Sequence, residues 1–224
     1  MDPHAASSSA RARPLVWPWV LGAVLLIGLL VLYPPVRVVR TPVAGSAPGA
    51  AAASFSATAF VETFWLKRLQ PAARQVPELA PFLVAVRTDR RAAMAAFSQR
   101  GGLGGADRVF LRGSGRVVAV ERNRVVLDVG GHQVALGTGP VFGNVVRDGC
   151  GLLEVNEVPG LAEFNEVSAA INRVVEERIQ PMIRSGAKVG ALLSFAGCAE
   201  VPEVLPGPPA PVLLLVPVWA EAKP

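Results

Sequence analysis

The sequence is poor in the residues that most often carry chemistry. Among 224 residues there are two histidines, two cysteines and one tyrosine. His4 precedes the first long apolar run and His132 stands in a glycine-flanked strand or turn, so no histidine cluster has metal-ligand spacing. A haem-chaperone pattern, histidine followed four residues later by tyrosine, fails because Leu136 holds that place and the tyrosine is Tyr33. His132 therefore reads as a turn residue. No Gly-Lys-Ser/Thr occurs, and the glycine-rich "RGGLGGAD" (100–107) follows a helical pattern and precedes a strand pattern. That is the reverse of a dinucleotide fingerprint, so it reads as a connector. No metal and no cofactor is expected.

Charge is also less one-sided than it looks. The net charge is +5, but four of the 22 basic residues (Arg11, Arg13, Arg37, Arg40) flank the first apolar run. The chain after Arg40 keeps 18 basic and 16 acidic residues, too even a balance for a phosphate-binding surface. Arg108, Arg112, Arg116, Arg122 and Arg124 lie in strand-like runs without interleaved aromatics, so no nucleic-acid partner is expected. Only three of the basic residues are lysines, which together with abundant Ala, Gly and Pro reflects genome composition.

What is plainly present is one long uncharged run. Pro14 to Val36 gives 23 residues without a charge, with Trp17, Trp19 and Tyr33 near its ends and Pro34-Pro35 as its stop. A bilayer core needs about 20 helical residues, so the run predicts a transmembrane anchor. Arginines flank both sides equally; a short basic leader and a long following domain favour an N-terminus in the cytoplasm and a body in the periplasm. Cleavage in the Ala-rich "VAGSAPGAAAAS" stays open, although two arginines intervene.

The remaining chain divides into a linker and a folded body. Residues 37–54 are rich in Pro, Gly, Ala and Ser, with little to bury. Over 55–107, "FSATAFVETFWLKRLQP" spaces Phe55, Phe60, Phe64, Trp65 and Leu69 as an amphipathic helix ending at Pro71. "PELAPFLVAVRT" and "DRRAAMAAFSQR" predict two shorter helices. From residue 108 the period becomes strand-like: "RVFLRGSGRVVAVER", "RVVLDVG", "HQVALGTG" and "CGLLEV" read as strands of an antiparallel meander. Leu161 to Arg184 reads as a helix with Phe164, Val167, Ile171, Val174, Val175 and Ile179 on its apolar face. "AKVGALLSFAG" and "APVLLLVPVW" close the domain. No internal repeat is visible. The fold expected is α+β: a transmembrane helix, a short helical segment, then over 108–220 a five-stranded OB-type antiparallel β-barrel with a helix between its third and fourth strands, and a tail at 221–224.

Five stretches, "FSATAFVETFW…LQP", "VFLRGSGRVV", "GTGPVFGNVVRDG", "FNEVSAAIN" and "GAKVGALLSFAG", together resemble the bacterial family called domain of unknown function 2291, predicted periplasmic lipoproteins. The resemblance implies a helical portion followed by an OB-type barrel outside the inner membrane. It also implies an accessory role beside sugar ABC transporters or another envelope complex. Asn156, Glu163 and Asn172 stand where the family has matching residues, whereas Gly160-Leu161 replaces an Asn-Gln pair. The lipid-bearing cysteine of the family is missing, since the first cysteine is Cys150.

Two constellations remain. Asn156, Glu157, Glu163 and Asn172 are the candidate ligand-binding residues, and Glu157 with Glu163 could serve a periplasmic carbohydrate hydrolase as acid and base. Acids in the first turn of a helix are also what its dipole favours, and Glu163 has that position. The reading preferred is therefore a non-enzymatic binding or accessory module, with the hydrolase as the alternative. Cys150 and Cys198 lie in a body expected to face an oxidising compartment; a disulfide, two buried thiols, or one of each are all compatible with the sequence.

Overall fold

The computed structural model describes residues 55–98, 107–207 and 210–223. The leader at 1–13, the apolar run at 14–36, the linker at 37–54 and nearly all of the glycine-rich connector lie outside these residues.

A long amphipathic helix opens the described chain. α1 (Ala57–Phe64) starts at Ser56, whose hydroxyl accepts from the amide of Ala59 at 3.3 Å. It runs through a π-helical turn (Trp65–Leu69) into α2 (Gln70–Ala73). α3 (Leu79–Thr88) and α4 (Arg90–Phe97) follow, the latter capped by Asp89, which accepts from Ala92 at 3.0 Å.

Five strands come next: β1 (Arg108–Val120), β2 (Arg124–Val129), β3 (His132–Gly137), β4 (Leu192–Glu200) and β5 (Leu214–Lys223). The sheet closes in the order β1-β2-β3-β5-β4. β1 makes closure feasible by pairing with β4 over Arg108–Arg116 and with β2 from Arg116 onward. It turns at Gly115, where a Cβ would sit 2.6 Å from the carbonyl oxygen of Asp128, so no larger residue fits. Gly130 and Gly131, both at positive φ, make the tight β2–β3 turn. Between β3 and β4 the chain forms α5 (Val145–Gly149), a 3-10 turn (Val155–Glu157), α6 (Leu161–Val174), a second π-helical turn (Val175–Ile179) and α7 (Gln180–Gly186).

The core fills the space between helices and sheet, with Phe82, Phe110, Phe164 and Phe195 fully buried. All six residues expected on the apolar face of the long helix are buried. β4 is buried from Leu193 through Ala199, as a strand covered on both faces must be.

Four expectations need correction. Among the described residues no helix is long and apolar enough to cross a membrane, so the fold seen here is α+β with a five-stranded sheet and no transmembrane helix. "CGLLEV" is not a strand. Gly151 takes φ 63°, the carbonyl of Leu152 accepts from Arg68, and Glu154 and Glu157 form a capping box around the 3-10 turn. Side chains satisfy the backbone there, in place of a neighbouring strand. The sheet is not wholly antiparallel either, because β3 and β5 pair in parallel at Ala135↔Leu214 and Leu136↔Leu215. β5 also runs on to Lys223, past the expected boundary at 220.

A short repeat emerges as well. "RLQP" (68–71) and "RIQP" (178–181) each end a π-helical turn. Proline lacks an amide hydrogen and crowds the carbonyl four residues back; a π turn opens the helix at that point. In both copies the glutamine before the proline ties the helix to a distant backbone. Gln70 donates to the carbonyl of Val218 at 2.8 Å, and Gln180 to that of Gly139 at 2.6 Å.

Candidate functional site

The helical stretch that begins with α6 carries two neighbouring stripes. Phe164, Val167, Ile171 and Val174 point into the core, while Asn165, Ser168, Ala169, Asn172, Arg173 and Glu176 follow one another at helical spacing beside them, Ser168 and Asn172 buried and Asn165, Ala169 and Arg173 exposed. The loop after β3, Val141 to Asn144, faces this second stripe. Together they line a cleft of about 570 Å³, within the usual range for a small-molecule site.

The loop is tied to the helix at two points. Glu176 accepts from the amide of Val141 at 2.6 Å, and the Asn172 side chain donates to the carbonyl of Gly143 at 2.9 Å. Gly143 sits at φ 76°, a conformation open to glycine, and lets the chain turn from the exposed Phe142 back to Asn144.

Beneath the cleft lies a buried ionic hub built by two adjacent residues. Arg147 and Asp148 are 3% and 2% exposed, and the Arg147 Nε donates to the Asp148 carboxylate at 2.6 Å. Asp148 also accepts from Asn144 at 2.5 Å. Arg147 donates to the Asn165 side chain and the Phe164 carbonyl, each at 3.2 Å, with its guanidinium 3.9 Å over the Phe164 ring. Arg108 approaches Asp148 and Glu200 at 3.7 Å. One dipeptide thus sets the amides on both walls.

Those partners fix what each amide presents. Asn144 must use its NH2 toward a carboxylate and Asn172 its NH2 toward a carbonyl, which leaves their oxygens as acceptors. Asn165 must turn its oxygen to Arg147, which leaves its NH2 as donor. Between them, the Ser168 hydroxyl is buried with no hydrogen-bond partner among the described residues. A native structure rarely leaves such a group alone. The cleft therefore offers alternating donors and acceptors, one carboxylate, one guanidinium and an aromatic rim.

Of the residues expected from the sequence, Asn172 lines this cleft, and Asn156, Glu157 and Glu163 do not. Asn156 is exposed in the 3-10 turn. Glu157 is paired with Arg68 and accepts from the amide of Glu154 at 2.9 Å. Glu163 folds back over the start of α6, its carboxylate oxygen 2.9 Å from where a Cβ on Gly160 would stand. Asn144, Asn165, Ser168, Arg173 and Glu176 were not expected. The signal for four of them was the polar stripe beside the apolar face of α6.

Cys150 and Cys198 are both buried, unbridged thiols. They meet where α5 crosses β4: a Cβ on Gly149 would lie 3.1 Å from that of Cys198. Burial pushes the Cys150 thiol up to about 11, and burial with the neighbouring Cys150 pushes Cys198 up as well.

Comparison with known proteins bears on this geometry. Residues 26–218 match the family described as predicted periplasmic lipoprotein (DUF2291). A similar solved structure is the crystal structure of an OB-fold protein from Thermotoga maritima MSB8, with a TM-score of 0.65 and 17% identity over 75% of this chain and 99% of that one. At that identity the likeness speaks to fold alone. No curated protein matches the sequence. Two of the stretches that carry the family resemblance, 137–149 and 164–172, are the two walls of the cleft.

Proposed function

The chain belongs to the family of predicted periplasmic lipoproteins, and from that premise we propose that its folded domain is a non-enzymatic binding and accessory module of the cell envelope. One observation carries the reading. Two stretches far apart in sequence converge on one polar cleft, where Asn144, Asn165 and Asn172 stand oriented by their own partners beside Glu176. Polar groups so fixed and facing one cleft are supported best as ligand contacts.

The cleft's chemistry favours a neutral, polyhydroxylated ligand of sugar type. Each sugar hydroxyl both donates and accepts, which suits a wall mixing amide oxygens, amide NH2 groups and Glu176. The exposed Phe142 offers an aromatic face to the apolar side of a sugar ring. This is the reading under which the domain assists a sugar ABC transporter or a related envelope complex in the periplasm.

The hydrolase alternative has less support, since Glu157 is engaged by Arg68 and by the backbone of its own turn. Calorimetric titration of the full chain in lipid nanodiscs with neutral monosaccharides tests the binding reading. Saturable one-site binding that weakens at least tenfold in Asn165→Ala is expected. Binding unaffected by that change, or heat of hydrolysis lost in Glu157→Gln, would overturn it.

A further inference from the structure

A second cleft, also about 570 Å³, adjoins the first and is more apolar, with Asn123 and Glu200 as its polar residues. It opens where β3 and β5 part company. Their parallel pairing ends at Leu136↔Leu215, and beyond it Gly137 and Val216 line the gap. Its walls are mainly apolar: Pro140, Val141, Phe142, Val145, Leu214 and Val216. Phe142 and Leu214 are 81% and 56% exposed, so large apolar side chains border an apolar cleft and face solvent. A hydrocarbon ligand in this cleft would cover both side chains.

The decisive relationship is that Val141 and Phe142 belong to both clefts. One side of this two-residue wall faces amides, Ser168 and Glu176; the other faces Val145, Leu214 and Val216. The wall is held by the bond from Val141 to Glu176 on one flank and turns at Gly143 on the other. A ligand lying across Phe142 would set a polar group on one side and a hydrocarbon group on the other.

From these two clefts sharing one aromatic wall, we propose that the site takes an amphiphile, a neutral glycosyl head in the polar cleft with an alkyl tail in the apolar one. This deepens the sugar reading and rests on it for the head group. The tail contributes through removal of hydrocarbon from water, so each added methylene should strengthen binding by about twofold to fourfold until the cleft is full.

The test uses the full chain in lipid nanodiscs and octyl β-glucoside carrying a photoreactive diazirine at the tail end. Adducts are mapped by peptide mass spectrometry, with empty nanodiscs subtracted. Adducts are expected on residues 137–145 and 214–216, displaced by excess methyl β-glucoside and reduced at least fivefold in Leu214→Ser and Phe142→Ala. Both changes replace exposed side chains, so the fold tolerates them. Adducts at those residues that methyl glucoside does not displace would overturn a joint site. Adducts confined elsewhere, or none, would overturn the tail position. Methyl glucoside alone, titrated by calorimetry, tests the head separately: binding there with no tail adduct leaves the sugar reading standing and removes the amphiphile, and absence of both removes both.

Discussion

Arg147 and Asp148 are neighbours in the chain and partners in the core, joined Nε to carboxylate at 2.6 Å beneath the cleft. Each reaches a different wall, Asp148 holding Asn144 and Arg147 holding Asn165. Removing one partner of a buried ion pair strands the other charge, at a cost of about 3–5 kcal/mol. Asp148→Ala should therefore lower stability by that order in chemical denaturation, and Asp148→Asn by less. A loss under about 1 kcal/mol for Asp148→Ala would show the pair is not desolvated as described.

Ser168 bears on stability. Its hydroxyl is buried without a partner among the described residues, so Ser168→Ala relieves a desolvation penalty and should raise unfolding free energy by about 1 kcal/mol. A destabilised variant would mean the hydroxyl is already satisfied.

Asn172→Ala should act in the opposite sense on stability. It removes the 2.9 Å bond to the Gly143 carbonyl and loosens the loop that carries Phe142. A loss of about 1 kcal/mol is expected, with faster amide exchange confined to residues 141–144. Unchanged exchange in that loop would contradict the clamp.

The cysteines predict an alkaline limit. The folded Cys150 thiol titrates at about 11, above its ordinary 9.0, because burial disfavours the thiolate. The unfolded chain therefore loses this proton first as pH rises. Stability from this group is complete below pH 9 and disappears as pH climbs through about 11, a change of about 3 kcal/mol. Cys150→Ala should flatten that slope, and native protein should resist thiol alkylation at pH 8. Rapid labelling of Cys150 in the folded protein would contradict its burial.

Much of the fold was legible because periodicity survives in it. The stripe Phe164, Val167, Ile171, Val174 announces a helix packed on a core, and the Gly130-Gly131 pair announces a hairpin. What was not legible depends on contacts between distant residues. "CGLLEV" has a strand's composition, yet Arg68, more than eighty residues earlier, supplies the partner that a neighbouring strand would have given. The cleft was barely visible. Of its lining only Asn172 stands among the expected residues, while Asn156, Glu157 and Glu163 drew attention as a dense acidic and amide cluster. Their density reflects capping and a turn, whereas the cleft's polar residues are diluted among apolar ones by the helical period. Asn144 and Asn165 become a pair only through the buried Arg147–Asp148 bond, which no local pattern announces.

The most direct test is the affinity of the cleft itself. Neutral monosaccharides titrated calorimetrically into the full chain in nanodiscs should give one saturable site for at least one sugar. That site should weaken tenfold or more in both Asn165→Ala and Asn172→Ala, while Asn165→Ala, a change at an exposed position, keeps most of the parent's stability. No saturable binding across the panel, or binding that both variants retain, would contradict the account.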